Sequence, residues 1–175
     1  MVIKNFGYEG LMRYFEDISA IPRASYKEEK IAEYLCNFAK ERGLEYYHDE
    51  NNNVLINAPA TAGMENSPAI LLQGHTDMVC AKLTTSAHDF EKDALDLYME
   101  GSWLRARGTT LGGDDGIAVA FMLALLDGEP TVRTFYKEDG HFRLQPANRT
   151  MFPVIVNSLM ILGRVVTSIR YYGRN

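Results

Sequence analysis

Cysteine is scarce in this chain. Cys36 and Cys80 are its only two cysteines in 175 residues, and they stand in unrelated contexts. That excludes a disulfide framework and a CxxC redox or metal motif; two reduced thiols in a reducing compartment are expected. Long apolar runs are missing as well: none approaches the roughly 20 residues that cross a bilayer. The opening Met1-Val2-Ile3-Lys4-Asn5-Phe6 has no apolar signal core with a small-residue cleavage site. The expectation is a cytoplasmic protein with no membrane partner. Positive charge is in short supply, with 18 Lys and Arg against 23 Asp and Glu for a net charge of −5. Nonspecific binding to nucleic acid needs clustered cations that displace counterions, so no nucleic-acid partner is expected. There is no internal repeat and no low-complexity tract. What is present is a 46% hydrophobic fraction, enough for a packed core, in a length that suits one domain.

Leu11, Tyr14, Phe15 and Ile18 recur at helical spacing and predict an amphipathic helix that Pro22 ends. Ser25-Tyr26-Lys27-Glu28 has the pattern of a capping box, opening a second helix with Ile31, Tyr34, Leu35 and Phe38 on its apolar stripe and Gly43 as its stop. Residues 44–48 and 53–57 flank Asp49-Glu50-Asn51-Asn52 and predict a hairpin. The short apolar run at 69–72 predicts a strand buried on both faces. Residues 103–106 predict another short strand. Residues 115–126 are apolar around nearly the whole circumference and predict a buried helix. Helices interleaved with strands give an α/β architecture. Beyond Asp127-Gly128-Glu129-Pro130 the texture becomes β-rich, with strand-like runs at 131–136, 141–144, 154–156 and 160–172.

Two motifs carry chemistry. Gly74-His75-Thr76-Asp77 follows the apolar strand, at the kind of strand end where open α/β sheets gather ligands. An imidazole there can meet a metal, while a carboxylate two residues on holds the other ring nitrogen and fixes the tautomer. A lone H-x-D pair is also common as a satisfied loop histidine. Gly108-Thr109-Thr110-Leu111-Gly112-Gly113-Asp114-Asp115-Gly116 opens the apolar helix. Its acidic residues suit a helix N-terminus through the macrodipole. Equally, a carboxylate held there can bridge two cations ~3.5–4 Å apart.

Taken together, Gly74-His75-Thr76-Asp77-Met78-Val79, His88-Asp89-Phe90 and Trp103-Leu104-Arg105-Ala106-Arg107-Gly108-Thr109-Thr110-Leu111-Gly112 resemble the aminoacyl-histidine (Xaa-His) dipeptidases, within the superfamily of zinc aminoacylases and carboxypeptidases. Tyr14-Phe15-Glu16-Asp17-Ile18-Ser19-Ala20-Ile21-Pro22-Arg23 and Glu28-Glu29-Lys30-Ile31 are similar to that family's opening. The resemblance runs from about residue 8 to 127. It implies a zinc metallodipeptidase hydrolysing small peptides. His75 and Asp114 would be metal ligands, Asp114 bridging two zincs, and Asp77 would serve the catalytic centre by orienting His75. Two positions depart from the family pattern: Thr76 stands where an aliphatic residue is expected, and Asp115 where Asn is usual. Asp115 is read as a helix cap.

A catalytic zinc takes about three protein ligands and keeps one position open. The family supplies the remaining ligands and a Glu-Glu pair with the base later in its sequence. Here the acidic residues after Asp127 are Glu129, Glu138 and Asp139, the histidine is His141, and no Glu-Glu pair occurs. His48, His88 and His141 match no family ligand and are read as structural. At most one zinc, weakly held, is expected. The residues from Glu129 to Asn148, then Thr150-Met151-Phe152-Pro153-Val154-Ile155-Val156 and Ile161-Leu162-Gly163-Arg164-Val165-Val166, resemble the C-terminal peptidase domain of LexA-type SOS repressors. That family cleaves itself with a Ser-Lys dyad. Arg133 occupies the lysine position, and an arginine stays protonated.

The expected organisation is therefore a partial zinc-aminopeptidase-like mixed sheet with flanking helices, followed by a short β-rich tail. Residues 1–128 form an incomplete dipeptidase catalytic domain, and residues 129–175 a LexA-like segment. The expected function is a metal-dependent dipeptidase by resemblance, catalytically incomplete in this chain. The alternatives are a non-catalytic binding or self-associating fusion protein, or a remnant of a LexA-type repressor; the partner expected, beside a small peptide substrate, is a second copy paired through β edges.

Overall fold

The computed structural model describes residues 2–3, 9–60, 65–127, 134–145 and 152–157. The chain divides into two compact units, Met1–Pro130 and Thr131–Asn175.

In the first unit, helix α1 spans Glu9–Ser19 and buries Leu11, Tyr14, Phe15 and Ile18, the same four residues whose spacing predicts it. Helix α2 spans Glu29–Glu41 and buries Ile31, Leu35 and Phe38. It ends in a Schellman turn: Gly43 N–H donates to Lys40 O and Leu44 N–H to Ala39 O. Gly43 sits at φ +63°, a conformation that glycine adopts without a Cβ penalty. The predicted start of α2 differs. Glu28 is its N-cap and no side chain caps it. Glu28 Oε1 accepts from Tyr26 N–H, while the Ser25 hydroxyl donates to Asp77. The capping-box pattern is satisfied locally only in part, because a tertiary acceptor takes the serine.

Strands β1 (Glu45–His48) and β2 (Val54–Asn57) form the predicted hairpin, with Glu45 opposite Asn57 and His48 opposite Val54. Strand β4 (Trp103–Ala106) pairs antiparallel with β3 (Leu97–Glu100), a strand with no clear sequence signal. Helix α3 spans Gly113–Leu126 and packs along α1. Its inward face buries Gly116, Val119, Ala120, Leu123 and Ala124, whereas Ile117 is 43% exposed. The all-round apolar pattern therefore overstates its burial: one face is covered, by α1. The core joins α1, α2, α3 and β3. Within it, Tyr14 and Phe38 meet edge to face at 5.7 Å.

Residues 69–72 do not form the expected buried strand. They adopt no regular structure, and Ile70, Leu71 and Leu72 are exposed. A doubly buried strand needs paired neighbours and covering helices, and no ladder partner lies beside this run among the described residues.

In the second unit, β5 (Thr134–Glu138), β6 (His141–Gln145) and β7 (Val154–Val156) make a three-stranded antiparallel sheet. The α/β class and the β-rich tail hold. The strands gather as three separate antiparallel sheets, and parallel pairing among the described residues is confined to the single bridge between Ala24 and Met78. The run predicted at 160–172, residues 131–133 of the first tail strand, and Arg133 with them, lie outside the described residues.

Candidate active site

His75 lies in the irregular segment between residue 72 and Met78. That segment is anchored at its end by Met78 N–H donating to Arg23 O at 3.0 Å. The turn that carries Asp114 is reached through a second set of ties. Thr110 N–H donates to Ala81 O, Leu83 N–H donates to Gly108 O, and the Thr110 hydroxyl donates to Val79 O at 2.6 Å. These bonds bring the two motifs, separated by about 30 residues of chain, side by side.

The result is a line of three side chains. His75 Nδ1 lies 3.0 Å from Asp77 Oδ1, and His75 Nε2 lies 3.3 Å from Asp114 Oδ1. Asp77 is held from its far side by the Ser25 hydroxyl. That hydrogen bond, with the neighbouring imidazole, keeps the Asp77 carboxyl below the usual carboxylate range. For His75, partial burial disfavours the charged ring, but hydrogen bonds to Asp114 and Asp77 outweigh it and the net shift is upward. The imidazole is half-exposed and Asp114 is almost wholly exposed, so these are solvent-screened contacts. All three sequence-derived site residues thus come together in space, with each ring nitrogen of His75 facing a carboxylate oxygen.

Asp115 departs from its expected part. The helix has Gly112 as N-cap with no side-chain cap bond, and the backbone at Asp114 and Asp115 is not helical. The peptide joining them is cis. The Asp115 carboxylate turns instead toward Gly74, where a Cβ would meet its Oδ2 at 2.8 Å. Gly74 is small because that carboxylate and the Met122 methyl occupy the space beside it.

The other histidines are engaged locally. His48 Nε2 lies 3.2 Å from Asn52 Oδ1, His88 packs edge-on against Phe90 at 4.5 Å, and His141 Nε2 lies 3.0 Å from Glu138 Oε2.

One contributor has no functional signal in the sequence. Arg23 is 2% exposed, in a side-chain type almost never buried unless paired. Its Nη1 donates to Thr76 O at 3.1 Å and Asp77 O at 3.3 Å, and its Nη2 to Gly112 O at 2.8 Å. Desolvation lowers its pKa against the opposing pull of Asp77. Only the tertiary arrangement brings those carbonyls to one point.

The resemblance implies a two-zinc centre. His75 Nε2 and Asp114 Oδ1 converge, but no group of three or more His, Cys, Asp and Glu able to hold a metal occurs among the described residues. A zinc of hydrolytic type takes about three protein donors. The described residues do not fit a pair of zincs.

Comparison with known proteins bears on both units. The chain is 44% identical over 154 residues to the cytosol non-specific dipeptidase of Escherichia coli (strain K12), covering 82% of this chain and 32% of that protein. The crystal structure of aminoacylhistidine dipeptidase from Vibrio alginolyticus superposes with a TM-score of 0.67 at 41% identity, over 71% of this chain and 25% of that one. A Peptidase S24-like family model matches residues 113–166. The LexA repressor of Clostridium botulinum (strain Hall / ATCC 3502 / NCTC 13319 / Type A) is 30% identical over 149 residues, covering 77% of this chain and 70% of the repressor. The chain belongs to the LexA repressor family, and it is also similar to the aminoacylhistidine dipeptidases. As a dipeptidase relative it spans about a third of the E. coli protein and a quarter of the Vibrio one. The S24-like match opens at Gly113, the first residue of α3 and the neighbour of Asp114. The two likenesses therefore overlap on that helix.

Proposed function

We infer that this chain is a peptidase-lineage hydrolase of dipeptides, of the Xaa-His dipeptidase type, whose own residues supply an unfinished catalytic centre. The observation that carries this reading is the His75–Asp77–Asp114 line, with His75 Nε2 at 3.3 Å from Asp114 Oδ1. His75 and Asp114 are the two donors, and Asp77, braced by Ser25, orients the imidazole between them. A two-donor pair holds at most one divalent cation, weakly, since zinc sites close with three or four ligands. Residues 1–128 are the incomplete dipeptidase domain and residues 129–175 the LexA-like segment. A cytoplasmic setting follows from the lineage.

The test is direct. The purified chain, supplied with zinc, is assayed on an aminoacyl-histidine dipeptide, and its metal content is measured after dialysis. Weak or no turnover is expected, with less than one retained zinc per chain. Turnover at the level of a complete dipeptidase, or about two tightly retained zincs per chain, overturns the reading.

A second reading, a non-catalytic self-associating protein, draws on the exposed apolar run Ile70, Leu71 and Leu72, at 86%, 70% and 51% exposure. Contiguous apolar surface with unpaired backbone favours association. Sedimentation of a clean monomer counts against it. The LexA-type tail raises a third, a DNA-linked regulator. Retention of duplex DNA on a filter at low salt tests it, and the acidic balance of the chain leads us to expect none.

A further inference from the structure

We propose that Arg23 is the positioning residue of this site: its buried guanidinium fixes the segment carrying His75 and Asp77 against the turn carrying Asp114. The proposal rests on the reading above only for the identity of the site; the clamp itself is geometric.

Arg23 is tied to the first segment twice. Its own carbonyl accepts from Met78 N–H, and its Nη1 donates to the carbonyls of Thr76 and Asp77. These are the residues that directly follow His75. The opposite arm of the same planar fork donates to Gly112 O at 2.8 Å, two residues before Asp114. One rigid group therefore spans both motifs, and a fork of fixed geometry sets their separation in a way a flexible point charge cannot.

The surroundings are built to fit this group. A Cβ on Gly112 would meet Arg23 Nη2 at 2.5 Å and Met78 Sδ at 2.9 Å, and a Cβ on Gly116 would meet the same Nη2 at 2.8 Å and Phe15 Cε2 at 3.3 Å. Two glycines on the Asp114 turn and helix thus leave room for one guanidinium. Met78, 3% exposed, closes it from the other side. The fork is not fully satisfied: Arg23 Nε is buried with no hydrogen-bond partner. Burying a cation with one donor unpaired is unfavourable, and the two-loop tie is the feature of the structure that this burial serves.

The experiment reads the His75 ring by long-range proton–nitrogen NMR in the full chain, with His48 and His141 as internal references. In the wild-type chain, slowly exchanging Arg23 Nη protons with Overhauser contacts to Gly112 and Thr76 are expected, together with one fixed His75 ring-nitrogen pattern. In Arg23→Met, His75 loses that pattern and takes on the averaged shifts of a free imidazole, while His48 and His141 stay put. Arg23→Lys, which keeps the charge but not the fork, gives the same loss. Gly116→Ala, which keeps the arginine and crowds Nη2, moves His75 in the same direction. A folded Arg23→Met chain with an unchanged His75 pattern overturns the proposal, as does rescue by lysine. If Arg23→Met does not fold, the wild-type exchange and Gly116→Ala decide: solvent-rate exchange of the Nη protons, or an unmoved His75 in Gly116→Ala, is fatal. Because hydrolysis is not read, a chain without peptidase activity leaves this result standing, and an active chain does not rescue it.

Discussion

Replacing Asp127 with Asn should loosen the junction of all three helices in the first unit. Asp127 is the C-cap of α3, where the helix dipole disfavours a negative charge by about 0.3–1 kcal/mol. Two arginines offset that. Arg42 Nε donates to Asp127 Oδ1 at 2.5 Å and Arg13 Nη2 to Oδ2 at 3.3 Å, and the Tyr14 hydroxyl donates to the same carboxylate. Arg42 also lies over the Phe38 ring at 3.6 Å. Charge-assisted hydrogen bonds contribute about 1.5–3 kcal/mol each when well shielded, but these groups are partly solvated, which reduces the figure. After the dipole cost, a net loss of about 1–2 kcal/mol at pH 7 is expected for Asp127→Asn. In a unit of this size that is a fall in Tm of roughly 3–10 °C. The pH dependence carries a sign. Arg42, first among the causes, holds the Asp127 carboxyl below its ordinary value. A carboxyl with a depressed folded pKa stabilises fully above its unfolded pKa of about 3.9, and that stabilisation is lost as pH falls through the lower folded value. The gap between wild type and Asp127→Asn should therefore be constant near neutrality and narrow as pH drops below about 4. Asp17 and Glu41 also face this cluster, but they are present in both proteins and cancel in the difference. Thermal unfolding followed by circular dichroism from pH 7 to pH 3 measures the gap. An unchanged Tm at pH 7, or a gap that widens in acid, refutes the reasoning.

Three further outcomes are expected. Phe15→Ala removes a 2%-exposed ring from the core and should cost about 3–5 kcal/mol in urea unfolding; a loss under about 1 kcal/mol would show that this core is not the one described. Gly74→Ala brings a methyl against Asp115 Oδ2 at 2.8 Å and Met122 Cε at 3.0 Å, the far ends of two flexible side chains that can shift, so a loss of no more than about 1 kcal/mol is expected, and a larger one would show that both ends are pinned. Gly43→Ala meets nothing within 4 Å yet must hold φ +63°, so a loss of about 1 kcal/mol from backbone strain alone is expected, read in the same urea titration.

Much of the local structure was legible because local rules generate it. The α1 stripe, the α2 stripe with its Gly43 stop, and the hairpin around Asp49-Glu50-Asn51-Asn52 all follow from periodicity and turn chemistry acting over a few residues. The capping box at Ser25 misled because a side chain free to choose between a local N–H and a distant carboxylate was assigned the local one. Residues 69–72 misled for a related reason: apolarity states what a strand can bury, not whether neighbours exist to bury it. The same limit explains Ile117, apolar yet exposed on the outer face of α3.

By itself the sequence singled out His75, Asp77 and Asp114 as the proposed site residues, because their types and their motif contexts are written in the chain. It also carries likenesses to two families, the dipeptidases and the LexA repressors. Tertiary structure alone decided that the three side chains form one line, that Asp115 turns to Gly74 instead of capping its helix, and that Arg23 spans both motifs. Those outcomes depend on carbonyls and glycines brought together from positions 23, 76 and 112, and no rule acting over a few neighbouring residues can specify a meeting between parts of the chain that far apart.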